Sequence, residues 1–315
     1  MIYNWRAAIG VIAPTTGVAI EMDFHRFAPE GVAVVTNRIP FSGNPTPEEL
    51  MDMVSYLEES ARIFRPEVPF DVVTFGCTSG SLVGGSGFDK KCIEAIEKTC
   101  GFPGLTTSTS LLDAFKALGA GNAAVVTPYP DETNVLEKKF LEDNGVHVTN
   151  IKGMTSKRCS LDELSDRPHD IYQHVKNLDL TGADSIFISC TGMNVLDIIS
   201  TIESDFGLPV LTSNQVTLWE MCIRDRGITG VAEVFLDTFV ICTITGLILG
   251  VTGVLDSGAP GNVLAINAFA SVWEPLRYVV ALCLLLFSST TLMSQWYFGF
   301  VGLNYICLLY TSRCV

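Results

Sequence analysis

Val73–Thr78 (VTFGCT) and Phe187–Thr191 (FISCT) are two diverged copies of one pattern, a short apolar run that leads into a cysteine. In both places helical sequence follows, and then a Gly-x-Pro-x-Leu-Thr segment, at Gly101–Thr106 and at Gly207–Thr212. Short apolar runs that alternate with helical stretches are typical of α/β proteins with parallel sheets. The repeat therefore predicts two similar lobes, and we expect each lobe to contribute its cysteine to a cleft between them.

Further short apolar segments of residues 1–220 predict the other strands of these lobes. They alternate with amphipathic stretches, which predict helices that flank the sheets. We assign residues 1–115 and 207–220 to the first lobe and residues 116–206 to the second. The predicted strands are Ala7–Ala13, Val32–Asn37, Phe70–Phe75 and Gly104–Thr106, followed by Asn122–Thr127, Val146–Lys152, Ser185–Ser189 and Pro209–Thr212.

The composition changes abruptly near residue 221, so the charge is counted in two parts. Residues 1–220 carry 16 Lys and Arg against 29 Asp and Glu, a net charge of −13, whereas residues 221–315 are mostly apolar and carry 4 against 5. Nucleic-acid binding needs a basic surface, so we expect no nucleic acid as a partner. An anionic substrate would gain no long-range attraction either, and specificity for a carboxylate must come from local groups.

The cysteines and histidines of residues 1–220 indicate neither disulfides nor a metal site. Five cysteines occur at irregular spacings without a Cys-x-x-Cys pair, which favours free thiols. The four histidines form no ligand-spaced cluster with them, and no metal is expected. The chain opens without a basic segment followed by a long apolar run. We therefore expect residues 1–220 to be cytoplasmic and without a membrane partner, whereas a genuine apolar tail would indicate a membrane.

Cys77 and Cys190 each follow a predicted strand and precede a predicted helix, which is where ligands bind in open α/β sheets. A thiol at a helix N-terminus lies near free N–H groups and the positive end of the helix dipole, and both favour the thiolate. The small polar residues that follow leave backbone N–H groups open to a carboxylate, or to an enediolate formed from it. Taken alone, either cysteine is better explained as a small buried hydrophobic residue with a structural role. The matched pair in matched contexts predicts catalysis.

Five short motifs carry a resemblance to a known family: Gly10–Thr16 (GVIAPTT), Gly76–Ser79 (GCTS), Thr127–Tyr129 (TPY), Ser189–Thr191 (SCT) and Pro209–Gln215 (PVLTSNQ). Residues 5–220 as a whole resemble the Asp/Glu racemase superfamily, and within it the branch of maleate cis–trans isomerases and arylmalonate decarboxylases. The resemblance implies two pseudo-symmetric lobes, each with a four-stranded parallel sheet flanked by helices, and no cofactor. It also implies that a substrate carboxylate is held near Thr15, Thr16, Thr78, Ser79, Tyr129, Thr191 and Gly192.

Two reactions of a small carboxylic acid fit this pair of cysteines. In a cis–trans isomerase one thiolate, by the resemblance that of Cys77, adds to the substrate double bond. The resulting single bond rotates, and elimination gives the trans acid with help from Cys190. In a racemase one cysteine removes the α-proton and the other returns a proton from the opposite face. The decarboxylases of this branch keep only the second cysteine, so the presence of both favours an isomerase or a racemase.

Other functions are left open at this point. One is a decarboxylase-like lyase with Cys190 as its sole proton donor, and the first loop, Pro14–Val18 (PTTGV), is closer to that of the decarboxylases than to the Pro-Ser-Ser-Asn-Thr loop usual in maleate isomerases. Another is a non-catalytic ligand-binding protein. The expected partner is a small carboxylic acid, and a homodimer is left open.

The tail, residues 221–315, is predicted to be foreign to the rest of the chain. The codons ATG TGT ATA AGA GAC AGR would give Met221–Arg226 (MCIRDR), and TGT CTC TTA TAC ACA TCT would give Cys307–Ser312 (CLLYTS). These two DNA strings are reverse complements over nearly their whole length. One transposase-end sequencing adapter in both orientations therefore accounts for both peptides. Residues 227–306 resemble a sodium:alanine symporter fragment with membrane helices, notably at Gly230–Thr238 and Leu286–Thr291. A sodium-coupled amino-acid transporter, or a genuine membrane anchor, is the alternative for this tail alone.

Overall fold

Buried apolar strands form two sheets in the first part of the chain, and apolar helices make up the last part. The computed structural model describes residues 7–154, 168–221, 235–254, 258 and 260–311. The chain divides by its internal contacts into two units, Met1–Arg226 and Gly227–Val315. This division falls close to the change of composition at residue 221.

The first sheet consists of β1 (Ala7–Pro14), β2 (Val32–Ile39), β3 (Val72–Phe75) and β4 (Gly104–Thr106). The spatial order is β2-β1-β3-β4, and all neighbouring strands are parallel. Every residue of β1 after the first is buried. A central parallel strand is covered on both faces, which is why β1 is a continuous apolar run in the sequence.

The second sheet repeats this arrangement with β5 (Asn122–Thr127), β6 (His147–Gly153), β7 (Ser185–Ile188) and β8 (Val210–Thr212). Its order is β6-β5-β7-β8, again with parallel neighbours. The strand that precedes each cysteine, β3 or β7, therefore has the same place in its sheet. The predicted fold class, two pseudo-symmetric α/β lobes with four-stranded parallel sheets, is confirmed.

Helices flank both sheets, and the local sequence explains where two of them begin or end. The side chain of Thr46 accepts a hydrogen bond from the backbone N–H of Glu49 at 3.5 Å, as expected of an N-cap. Gly145 has a φ of +88° just beyond a helix end, as expected of a C′ residue. The helices are α1 (Val18–Phe27), α2 (Pro47–Ser55), α3 (Leu57–Ala61), α4 (Thr78–Leu82), α5 (Phe88–Cys100), α6 (Thr107–Leu118), α7 (Asp131–Asp143), α8 (Pro168–Lys176), a 3₁₀ turn at Leu196–Ile198, α9 (Ile199–Phe206) and α10, described over residues 213–221.

The helix after the last strand of each lobe packs against the other lobe. Phe115 of α6 meets Phe187 of β7 edge-on, with ring centroids 6.2 Å apart. Leu218 of α10 is buried in a cluster with Val11 of β1 and Phe24 of α1. The assignment of residues 207–220 to the first lobe is wrong for β8, because its backbone pairs with β7 in the second sheet.

The described part of the second unit consists of helices joined by short turns. It contains a π-helical turn at Leu236–Ile241, then α11 (Cys242–Thr252), α12 (Gly261–Val272) and α13 (Leu276–Thr311). Within α13, Leu276–Met293 is long and apolar enough to cross a membrane, by length and composition. Residues 222–226 and 312 of the two adapter-like peptides lie outside the described residues.

Candidate active site

Cys77 and Cys190 follow β3 and β7 at the carboxyl ends of the two sheets. That edge of a parallel sheet is where ligands bind in α/β proteins. Both cysteines line one cleft, whose empty space is about 560 Å³ when the open solvent at its mouth is included. The other lining residues come from the loops of both lobes: Pro14, Thr16, Gly17, Phe41, Pro45, Ser79, Pro128, Tyr129, Thr191, Gly192 and Met193.

Cys77 is buried and forms the N-cap of the short helix α4. Its Sγ accepts a hydrogen bond from the N–H of Gly80 at 3.3 Å and lies 3.9 Å from Ser79 Oγ. These donors favour the thiolate, but burial has the larger influence and raises the pKa of Cys77 to about 12. The helix N-terminus thus favours the thiolate in the predicted direction, but removal from water disfavours the anion more.

Cys190 differs from Cys77 in exposure and in backbone conformation. It is half-buried, and among the described residues it is the one non-glycine residue with a positive φ, +100°. A side chain in that conformation costs about 1–2 kcal/mol. Its Sγ accepts a hydrogen bond from the N–H of Gly192 at 3.3 Å. The predicted helix does not begin beside it, because a 3₁₀ turn starts only at Leu196 and α9 at Ile199.

Two sets of hydrogen bonds tie the cysteine loops of the lobes together. The Thr191 hydroxyl donates to the carbonyl of Gly76 at 3.0 Å. In the other direction, the Thr78 hydroxyl donates to Ser213 Oγ at 2.8 Å, and this oxygen accepts the backbone N–H of Cys190 at 3.0 Å. Breaking a buried hydrogen bond leaves an unsatisfied group, which costs about 1–3 kcal/mol. The ties therefore hold the two cysteines at a fixed separation.

The residues predicted to bind a carboxylate divide into two groups. Five line the cleft, whereas Thr15 and Thr78 do not. Thr15 is exposed, and its hydroxyl donates to the carbonyl of Ile39 at 2.9 Å, which fastens the first loop to β2. Thr78 is buried with its hydroxyl bound to Ser213. The five that line the cleft are Thr16, Ser79, Tyr129, Thr191 and Gly192.

The cleft offers neutral donors to an anion. None of the described residues that line it is Lys or Arg. A carboxylate bound there must therefore be held by hydroxyl groups and backbone N–H groups, which also stabilise negative charge that moves onto its oxygens during a reaction. Within the described residues, no group of three His, Cys, Asp or Glu side chains is arranged to hold a metal ion.

A buried carboxyl group beside the cleft was not predicted from the sequence. Glu137 on α7 is fully buried, and its Oε1 accepts a hydrogen bond from Ser189 Oγ at 2.6 Å. Burial raises the pKa of Glu137 from 4.5 to about 7. The signal for it is its spacing: Glu137 lies four residues after Thr133 and three before Phe140, both buried, so it falls on the core face of an amphipathic helix.

The first lobe contains an equivalent acid. Asp23 on α1 follows Pro14 by nine residues, and Glu137 follows Pro128 by the same number. Asp23 accepts a hydrogen bond from Asn214 Nδ2 at 2.7 Å, and burial raises its pKa to about 6. The same amide also donates to the carbonyl of the residue after Cys190, at 3.2 Å. Each lobe thus places a buried acid next to the cysteine loop of the second lobe.

Tyr129 connects the cleft with Glu137. It is one of the residues that line the cleft, yet it is only 3% exposed. No hydrogen bond holds its hydroxyl within the described residues, although Ser189 is close enough to lower its pKa. Burial outweighs this and raises the pKa of Tyr129 well above its usual value, with Cys190 and Glu137 adding to the increase. The hydroxyl therefore stays protonated and is available as a donor.

A comparison with protein families gives a match that spans the whole site. The arylmalonate decarboxylase family matches residues 9–234, which include both sheets and both cysteines. The chain belongs to the arylmalonate decarboxylase family. The resemblance inferred from the five motifs is thereby confirmed.

Relatives of this family carry two different names. Arylmalonate decarboxylase of Bordetella bronchiseptica is 25% identical over 213 residues, covering 67% of this chain and 88% of the relative. Maleate isomerase of Geobacillus stearothermophilus is 25% identical over 230 residues, covering 68% and 89%. The solved maleate isomerase Iso from Pseudomonas putida S16 has a TM-score of 0.63 at 22% identity, with 68% of this chain and 91% of that chain covered. This solved structure shares the fold of the two lobes.

A second family matches the tail. The sodium:alanine symporter family matches residues 221–313, which confirms the resemblance of that part. The two family matches overlap at residues 221–234, where the composition changes. The adapter origin of the two hexapeptides stays a prediction. Resequencing of genomic DNA across codon 221 tests it, and a continuous reading frame without adapter sequence would contradict it.

Proposed function

We propose that residues 7–221 form a cofactor-independent isomerase that converts a small unsaturated dicarboxylic acid of the maleate type into its trans isomer. The observation that carries the proposal is that two cysteines, one from each lobe, line one cleft together with hydroxyl and amide donors. Thiol chemistry on a planar carbon needs a nucleophile and a proton carrier within reach of the same substrate. Four curated relatives named maleate isomerase support this choice.

Substrate binding in this proposal uses the neutral donors of the cleft. The hydroxyls of Ser79 and Tyr129 hold one carboxylate, and Thr16 approaches from the first loop. Hydrogen bonds to an ionised carboxylate are stronger than those between neutral groups. They strengthen further when the adjacent carbon gains electrons and the carboxylate becomes an enediolate.

The reaction begins with transfer of the Cys77 proton to the thiolate of Cys190, which acts as the base and becomes a thiol. The Cys77 thiolate adds to one alkene carbon, so that a C–S bond forms and the π electrons move onto the neighbouring carboxylate. The former double bond is then single and rotates. Collapse of the enediolate re-forms the double bond in the trans geometry, breaks the C–S bond and releases the thiolate, which recovers its proton from Cys190.

A relative with a covalent adduct supports the addition step. A cysteine-to-serine variant of the Nocardia farcinica maleate cis–trans isomerase is described with a covalently bound succinylcysteine intermediate. That structure has a TM-score of 0.64 to this chain at 20% identity and covers 69% of this chain and 91% of its own. In this chain the burial of Cys77 keeps its thiol protonated at rest, which limits side reactions of the thiolate.

The different exposure of the two cysteines favours decarboxylation as a second candidate. Cys77 is buried with a raised pKa, whereas Cys190 is half-buried and open to the cleft. In a decarboxylase of this type the C–C bond to one carboxylate breaks and carbon dioxide leaves. The enediolate that remains takes a proton from the Cys190 thiol, and solvent then returns a proton to the sulfur.

The test is to incubate the full chain separately with maleate, phenylmalonate and L-aspartate in deuterated water and to follow each by proton NMR. The proposal predicts fumarate from maleate, without loss of carbon dioxide. Deuterated phenylacetate from phenylmalonate would favour the decarboxylase instead. Exchange of the aspartate α-proton would indicate a racemase. No product from any of the three would contradict the proposed function.

A further inference from the structure

Only one of the two carboxyl oxygens of Glu137 has a hydrogen-bond partner among the described residues. Its Oε1 accepts from Ser189 Oγ at 2.6 Å, but its Oε2 is buried and has no partner among the described residues. A buried carboxylate oxygen without a donor is costly, whereas a protonated carboxyl has one fewer acceptor to satisfy and gains a donor. The local geometry therefore favours the neutral acid.

A proton on Oε1 reverses the direction of the bond to Ser189. Glu137 then donates to Ser189 Oγ, and the serine hydrogen becomes free to point elsewhere, since a hydroxyl has one hydrogen and rotates. The neighbouring hydroxyl of Tyr129 is also buried without a hydrogen-bond partner among the described residues, and Ser189 is close enough to lower its pKa. A hydrogen bond from Ser189 to the oxygen of Tyr129 leaves the phenolic hydrogen to point into the cleft. With Glu137 ionised, Ser189 donates to the carboxylate instead and attracts the phenolic hydrogen inward.

We infer that Glu137, acting through Ser189, directs the Tyr129 hydroxyl toward the cleft and so sets the affinity of the site for carboxylates. Glu137 is thus a positioning residue, since it does not itself line the cleft and acts through Ser189. The inference rests on the proposed function to the extent that the cleft binds a carboxylic acid. It adds that this binding is controlled by one proton outside the cleft.

The groups that face Glu137 leave few other candidates for such control. Helix α4, which packs on α7, has no titratable side chain, and the titratable residues of β6, His147 and Lys152, are exposed. The titratable groups that act on the Tyr129 hydroxyl are Cys190, Glu137 and Cys77, and burial keeps Cys77 protonated in this pH range by raising its pKa to about 12. Burial is the main cause of the raised pKa of Glu137, with the Ser189 bond opposing it. Cys190 is therefore the group from which the effect of Glu137 must be separated.

The experiment measures the dissociation constants of maleate, fumarate and phenylmalonate by calorimetry with the full chain between pH 6.5 and pH 8. For the acid that binds most tightly, we expect the dissociation constant of the unaltered chain to rise about eightfold over this range. The reason is that the fraction of the chain with Glu137 protonated, which is the form competent to bind, falls. Glu137→Gln should keep the low dissociation constant over the whole pH range, because the amide of the glutamine donates to Ser189 at every pH. Tyr129→Phe should bind weakly and without this pH dependence. Glu142→Gln, an exposed residue of the same helix, is the matched control and should follow the unaltered chain.

Each contrary result has one meaning. Lack of pH dependence in the unaltered chain overturns the inference alone. The same rise in Glu137→Gln as in the unaltered chain attributes the effect to Cys190 and also overturns it. Weak binding by Glu137→Gln with an unchanged circular dichroism spectrum contradicts the permanent donation by the amide. A pH-dependent Tyr129→Phe shows that Tyr129 does not transmit the effect. Absence of binding by all three acids at pH 6.5 overturns the proposed function and this inference together.

Discussion

The two lobes share one scaffold but hold their cysteines in different environments. Both cysteines follow the same strand of their sheet, and each Sγ accepts one backbone N–H at 3.3 Å. Cys77 is buried with an extended backbone, φ −148°, whereas Cys190 is half-buried with a φ of +100°. The duplicated sheet therefore decides where the cysteines lie, and the loops decide how accessible each thiol is.

Thiol alkylation should separate the two cysteines most widely. Burial holds the pKa of Cys77 at about 12, so at pH 8 only about one thiol in ten thousand is ionised. With iodoacetamide at pH 8, we expect Cys190 to be modified at least ~100-fold faster than Cys77. Site-resolved mass spectrometry of the full chain measures both rates. Equal rates would show that the burial of Cys77 does not protect it in solution.

The buried acids of the two lobes should differ in their effect on stability. The folded pKa of Glu137, about 7, lies above its ordinary 4.5, so the folded state binds the proton more tightly than the unfolded chain does. The stabilisation is complete below about pH 4.5 and is lost as the pH rises through 7. From pH 5 to pH 8, Glu137→Gln should therefore gain roughly 1–3 kcal/mol in unfolding free energy relative to the unaltered chain.

Asp23→Asn is the comparison from the first lobe. The folded pKa of Asp23 is about 6. The gain of Asp23→Asn in unfolding free energy should therefore be smaller than that of Glu137→Gln, and it should be complete near pH 6. Urea unfolding at pH 5, pH 6.5 and pH 8 measures both variants. A larger gain for Asp23→Asn than for Glu137→Gln would reverse the order that their burial predicts.

The glycines that donate to the two sulfur atoms should tolerate substitution unequally. A Cβ on Gly80 would lie 2.6 Å from Cε of Met53 and 2.9 Å from Cζ of Phe75, whereas one on Gly192 would meet only the Cys190 sulfur, at 3.5 Å. We expect Gly80→Ala to lower the unfolding free energy by about 1–2 kcal/mol and Gly192→Ala to change it by less than ~0.5 kcal/mol. Urea unfolding of both variants measures this, and equal losses would contradict the packing difference.

The backbone difference predicts the smallest effect. Cys190→Gly should be more stable than Cys190→Ala by about 1 kcal/mol, because glycine adopts a positive φ without steric cost. At Cys77, with an extended backbone, the order should reverse, with alanine favoured by about 0.5–1 kcal/mol. Thermal unfolding of the four variants checks the two orders. Alanine favoured at both positions would show that Cys190 is not strained.

Much of this arrangement could be predicted from the sequence, because repeated patterns report on backbone topology. The alternation of apolar runs with helices gave the two lobes, and the repeated strand–cysteine segment gave Cys77 and Cys190 at one cleft. The pairing of β8 with β7 was not predicted, since a three-residue strand carries no signal of its partner. The chain passes between the lobes after β4 and again after β8, because the helices that follow these strands, α6 and α10, each pack against the opposite lobe.

Side-chain direction and burial limited the prediction of the site. Thr15 and Thr16 are adjacent and chemically alike, yet only Thr16 lines the cleft, because the loop turns Thr15 toward Ile39. The local pattern at Cys77 predicts a thiolate, whereas the long-range burial that opposes it comes from residues distant in sequence. The burial of Glu137 could be predicted from its spacing on the helix, but its proximity to Ser189 and Tyr129 depends on the fold.

The central claim is that both cysteines take part in one reaction, and turnover of maleate by the full chain with single cysteine-to-serine changes tests it most directly. We predict that Cys77→Ser and Cys190→Ser each lower kcat by about 10²–10⁴-fold. Cys100→Ser, a buried cysteine of the same lobe as Cys77 that does not line the cleft, is the control and should stay close to the unaltered rate. Full activity in Cys77→Ser would contradict the account.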